Sequence, residues 1–202
     1  MSTVSCSTSG SDQEQTDRKL QDFLLAKIPA RFHPLLLRPP GPVNPAKGTS
    51  WDPSLVSLID ANEDHVPVCA LPALHLLNSD WDAPHMILQD HEKEEQGIFD
   101  YLHTILHRSE GGSLSQEPEG EADGFWNATQ WVPLLSHPFL LEAYPDSGGD
   151  LSKAKEGAKQ FILDCEHAGR SGSEQERKTV DERNWREIKG LLKWAMVHGK
   201  TD

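Results

Sequence analysis

Apolar positions along this chain recur at three- and four-residue spacing and almost never in strict alternation, the pattern of helices packed on a core rather than of strands. Leu20, Phe23, Leu24 and Ile28 form the first such stripe, which Thr16 or Asp17 is placed to cap. RPPGPVNPAKGTS follows, where four prolines remove donors and fix φ, so an extended path over the surface is expected. Trp51-Asp52-Pro53 then reads as a helix start, with Asp52 as N-cap and Pro53 at the first helical position; Leu55, Leu58 and Ile59 continue it. The run from Cys69 to Leu77 reads as a buried helix with Pro72 near its beginning, and Asp80 to Gln89 as another short one.

The best-defined stripe lies between Lys93 and Arg108, where Ile98, Tyr101, Leu102, Ile105 and Leu106 fall on one face. Acidic residues at its start and Arg108 at its end suit the helix dipole. Two more helices are expected near the C-terminus. One runs from about Leu151 to Glu166, with Ala154, Ala158, Phe161, Ile162 and Cys165 inward. After a polar spacer, the other uses Val180, Trp185, Ile188, Leu192 and Met196 and stops near Gly199. The pattern predicts an all-α, single compact domain of about six to eight helices over residues 17–200. Residues 1–16, rich in Ser, Thr, Gln and Asp, read as a disordered tail, and residues 109–124 as a low-complexity acidic loop.

Composition narrows the partners. The formal charge of -13, from 32 acidic and 19 basic residues, repels a phosphate backbone and an anionic leaflet, so neither nucleic acid nor membrane is expected as a partner. No apolar run approaches the roughly 20 residues needed to cross a bilayer, and the first residues lack the pattern of a secretory signal; a cytoplasmic location is the expectation. Cys6, Cys69 and Cys165 are an odd count at unrelated spacings and read as free thiols rather than a disulfide framework.

The candidate chemistry lies in the histidines. Six of the ten, His65, His75, His85, His91, His103 and His107, fall between residues 65 and 107. His103 and His107 are four apart on the central helix and stack on one face, a spacing at which two imidazoles chelate one metal ion; Asp100 and Glu110 flank them. With Ile98 at zero and about 100° per residue, these polar residues fall between roughly 120° and 200°, opposite the apolar stripe. Such a face is ordinarily solvated and needs no function. The preceding helix carries Asp82, His85 and Gln89 along one edge. If the two edges meet, Asp82, His85, His103 and His107 form a nitrogen and oxygen set suited to one first-row divalent metal ion.

These segments resemble a family. Asp82-x-x-His85, then His103-x-x-x-His107-Arg108-x-Glu110-Gly111, then Asn127-Ala128-x-x-Trp131 and His137-Pro138 resemble, in order, the motifs of a family of fungal and bacterial proteins of no established function. Phe161-x-x-x-Cys165-Glu166 and the tryptophan-bearing last helix are similar to that family's C-terminal pattern, so the resemblance spans about residues 51 to 198. It implies a conserved order of segments and no reaction. The chain departs from the pattern in the acidic insertion between Glu110 and Asn127 and in Val132-Pro133-Leu134-Leu135 after the tryptophan.

The expected function is a small-molecule enzyme, aided by a divalent metal ion held by Asp82, His85, His103 and His107, carrying out hydrolysis, isomerisation or elimination. His103, His107 and Glu110 are the expected catalytic groups, with Glu110 transferring the proton. The small-molecule substrate would meet Gln89, Asn127, Trp131 and Arg108, the last by a forked contact to a carboxylate unless it simply caps its helix. The alternative is a non-catalytic binding or scaffold protein with an acidic surface and a wet histidine face. Oligomeric state is not encoded in these patterns.

Overall fold

A computed structural model describes residues 10–43, 50–61, 65–91, 97–111 and 124–199. Among them are ten α-helices joined by short 3-10 turns, and no strand. The helices are α1 (Gly10–Lys27), α2 (His33–Leu37), α3 (Pro53–Asp60), α4 (Leu71–Leu77), α5 (Asp82–Asp90), α6 (Ile98–Glu110), α7 (Gly124–Trp131), α8 (Phe139–Ala143), α9 (Leu151–Ser171) and α10 (Glu174–His198). The all-α single domain is as the periodicity predicts; the helix count is above six to eight, because short pieces such as α2 and α8 carry too few residues to display a period. No helix among the described residues is long and apolar enough to cross a membrane.

Local signals explain the boundaries. Asp52 caps α3 by accepting the Ser54 N–H at 3.0 Å, with Pro53 in the first turn. The helix expected from Lys93 begins at Ile98, directly after Gly97 in the left-handed region at φ 74°. Most of the expected acidic loop, and the first nine residues of the expected tail, lie outside the described residues, while residues 10–16 belong to α1. The polar spacer expected between the last two helices shrinks to Gly172 and Ser173. There Ser173 accepts the Glu176 N–H while the Glu176 carboxylate accepts the Ser173 N–H, a reciprocal cap that starts α10 at Glu174, six residues before Val180 opens its apolar stripe.

Two helices organise the interior. α10 lies against α1, α4, α6, α8 and α9, and α6 lies against α4, α5, α7 and α10. α6 is therefore covered on every side: from Ile98 to Ser109 each side chain is buried except Asp100. The face that its polar residues mark for solvent is instead roofed by α5 and α7. The α6–α7 contact is close because two glycines meet there. A Cβ at Gly124 would stand 2.5 Å from the His107 carbonyl oxygen and 2.9 Å from the Gly111 nitrogen, and one at Gly111 would enter the Phe125 ring.

A buried polar network pins α6 to α10. Arg108, the largest fully buried side chain, donates Nε and Nη2 to Asn184 Oδ1 at 3.1 and 2.6 Å, and Nη2 also to Glu187 Oε2. Tyr101 donates to the other oxygen of Glu187 at 2.8 Å, and Asn184 donates to Ser109 Oγ at 3.2 Å. Burial alone would lower the Arg108 pKa; the facing Glu187 carboxylate reverses this and raises it above the ordinary guanidinium value. Breaking such a pair by removing one partner costs about 3–5 kcal/mol, because the survivor is a buried, uncompensated charge.

Candidate functional site

α5 and α6 bring His85, His103 and His107 together. One ligand atom from each lies within 4.8 Å of the others, the spacing at which three side chains can share one metal ion. His103 and His107 are stacked with ring centroids 4.8 Å apart, as four-residue spacing on a helix requires. The His85 ring meets both edge-on, at 5.2 Å from His103 and 5.0 Å from His107. His103 is 3% exposed and His107 7%, so this is an interior cluster with one half-buried member, His85, on the solvent side.

The carboxylate that joins them is Glu110. Its Oε2 accepts from His107 Nδ1 at 3.0 Å, and its Oε1 stands 3.6 Å from His85 Nδ1, so each oxygen faces one imidazole. Burial by itself raises the Glu110 carboxyl; the contacts from His107 and His85 and their charge outweigh it and bring the pKa down to about 2. Glu110 is accordingly an ionised acceptor at neutral pH. With Nδ1 of His107 turned to that acceptor, the lone pair of its neutral tautomer sits on Nε2.

His103 is held differently. Its Nδ1 is buried with no hydrogen-bond partner among the described residues. Burial pushes its pKa down, His107 and His85 push it further, and against the opposing Glu110 it falls to about 3. A neutral imidazole with an unmatched buried nitrogen costs about 1–3 kcal/mol unless something at the site engages it. Trp131 closes the other side, its ring 3.9 Å from that of His103 and 6.5 Å from that of His107. The donor set thus fits a borderline divalent ion: three imidazoles, one of them with a partnerless buried nitrogen, and a carboxylate orienting the other two.

The remaining predicted residues divide. Asp82 is exposed in the first turn of α5, where a carboxylate complements the helix N-terminus, and does not belong to the three-residue cluster. Gln89 is likewise exposed, one turn beyond His85, and Asn127 is half-buried on α7. Arg108 corrects the expected carboxylate clamp: its guanidinium is enclosed by Asn184, Glu187 and the Phe161 ring, 4.5 Å away, and has no surface to offer a substrate. The other histidines of the 65–107 stretch stay apart. His75 is buried between Asp80 at 2.8 Å and Asp60 at 3.0 Å, and His91 stacks on Phe99.

No family model, curated protein or solved structure matches the chain. The site is therefore described from its geometry alone.

Proposed function

We propose that the protein is a small-molecule enzyme assisted by one divalent metal ion, held by His85, His103 and His107. The observation that carries this reading is the convergence of three imidazoles, two of them buried, one of which, His103, has a buried Nδ1 with no hydrogen-bond partner among the described residues. When bound, an ion with three protein ligands and an open position polarises a carbonyl or lowers the pKa of a water molecule, the chemistry of hydrolysis, isomerisation or elimination.

The chain's own residues have separable tasks in this reading. Glu110 keeps His107 and His85 in the orientation that presents their outer nitrogens, and as an ionised carboxylate it accepts a proton rather than supplies one. Trp131 walls the cluster with an apolar ring and keeps water from His103. Half-buried His85 marks the side from which a substrate reaches the centre. Asp82 lies outside this assignment and Arg108 belongs to the frame that holds α6.

The test is elemental analysis of untagged protein purified without chelators and then incubated with zinc, cobalt or manganese. Close to one equivalent of metal is expected in the native chain, and its loss in His103→Ala and His107→Ala. A panel of esters, amides, lactones and hydroxy acids then separates enzyme from binder: turnover that disappears with the metal supports the proposal. Metal far below one equivalent in the native chain overturns the metal site, and a loaded protein inert to every class favours the non-catalytic alternative.

A further inference from the structure

A second feature shares no residue with the histidine cluster and lies in the furrow between α1, α8 and α10. The pairs Asp17–Arg186 and Gln21–Lys189, followed by Lys193 over the Phe23 ring, run in ascending order on both helices, so α1 and α10 lie side by side in the same direction. α8 and its flanks run against them: Tyr144 faces Arg183 at 5.0 Å and His137 faces Trp194 at 4.3 Å. Between these contacts the Phe139 ring occupies the place a side chain on Gly190 would take. Three helices thereby enclose a groove of about 850 Å³, within the size range of small-molecule sites.

The groove is graded along its length. One end is polar, with Arg183, Arg186, Gln13 and Thr16; the middle and far end are lined by Leu20, Phe139, Phe23, Trp194 and Val197, with exposed Lys193 and His198 beside them. From Arg183 to Val197 the wall formed by α10 rises about 21 Å at 1.5 Å per residue. The charges are graded too. Of the lining carboxylates, Asp17 is taken by Arg186, and Glu187 by Arg108 and Tyr101, while Glu142 stands exposed at the rim. Arg183, stacked on Phe161 at 4.1 Å, has no carboxylate partner among the described residues, and neither do Lys19 and Lys193. In a chain of formal charge -13 this is a local excess of cations beside an apolar channel.

We propose that this groove binds an amphiphile with an acid headgroup and an extended apolar body, of the class of a medium- or long-chain carboxylate. The headgroup pairs with Arg183 at the polar end, and the chain lies over Phe139 toward Trp194 and Val197. The proposal is independent of the metal reading, since no lining residue is shared with the histidine cluster.

The probe is dodecanoate below its micellar limit, with dodecan-1-ol as its uncharged counterpart, titrated calorimetrically into the full chain. Saturable one-to-one binding is expected, with the alcohol about tenfold weaker, the loss of one charged contact. Arg183→Gln should weaken dodecanoate about tenfold and leave the alcohol unchanged, while Val197→Glu, on an exposed helix position, weakens both. His103→Ala should leave both affinities as they are. If Arg183→Gln does not fold, Val197→Glu decides, being a surface change. Absence of saturation, equal affinity for acid and alcohol, or indifference to Val197→Glu would overturn the proposal.

Discussion

His107 Nδ1 and Glu110 Oε2 lie 3.0 Å apart across one turn of α6, and the second oxygen of the same carboxylate faces His85 on α5. Glu110 thus ties an intrahelical pair to an interhelical one. In Glu110→Gln the side-chain shape persists but the amide presents one acceptor where the carboxylate presents two, so one imidazole loses its orienting partner. Metal affinity, read by competition with a chelating dye, should fall about 10–100-fold without being abolished. Asp82→Asn, altering an exposed carboxylate outside the cluster, should leave it unchanged. A Glu110→Gln protein that binds as tightly as the native chain removes Glu110 from the site.

Arg108 makes the opposite prediction from a substrate-binding arginine. Its partner Glu187 is 5% exposed, so Glu187→Ala strands a buried guanidinium, and urea unfolding should report a loss of about 3–5 kcal/mol. Removing both charges in Arg108→Met with Glu187→Leu should recover part of that loss, since no charge is left buried; the remainder is the cost of the Tyr101 hydroxyl and the Asn184 oxygen, which lose their partners. Were Arg108 a substrate clamp, its substitution would change KM and leave the midpoint of unfolding where it was.

The architecture was legible because helices announce themselves by period. The Asp52-Pro53 start and the apolar stripes of α6, α9 and α10 are visible in the residues alone. The meeting of His85 with His103 and His107 was legible as a condition: spacing puts the imidazoles on two edges, and only packing joins them. Two things were hidden. Arg108 and His107 are adjacent in sequence and face different helices, and a one-helix projection cannot tell that α10 supplies an acid for the former. The polar face of α6 read as solvated because its cover, α7, follows an acidic stretch that breaks the pattern, and the Gly111–Gly124 contact that seats α7 has no periodic signature. Ser173-x-x-Glu176, a capping signal present in the sequence, was available and sets the true start of α10.

His137 predicts an acid-sensitive fold. It is fully buried, its Nδ1 accepts the Phe139 N–H at 3.2 Å, and burial first, then the charge of His198, lower its pKa to about 4. The unfolded chain, near 6.5, binds the proton more readily than the folded one between those two values, so stability falls as pH drops from about 6.5 toward 4 and levels off below. The shift corresponds to about 3 kcal/mol over that window. His137→Asn offers an amide oxygen in place of Nδ1 and cannot titrate. Urea unfolding at pH 7 and pH 4.5 should therefore show a smaller difference for the variant than for the native chain; equal differences would rule His137 out as the source.

The seating of α7 can be tested at one glycine. A Cβ at position 124 meets the His107 carbonyl oxygen and the Gly111 backbone, atoms that no rotamer change can move aside. Gly124→Ala must therefore push the start of α7 away from the end of α6, costing about 1–3 kcal/mol as an overpacked interior does. Trp131 lies seven residues on, about two turns along the same helix, so the displacement carries to the ring that covers His103. The near-ultraviolet circular dichroism contributed by Trp131, isolated by comparison with Trp131→Phe, should weaken in Gly124→Ala, and the thermal midpoint should drop by several degrees. If both remain at native values, α7 is not held by this backbone contact, and the enclosure of His103 depends on some other part of the fold.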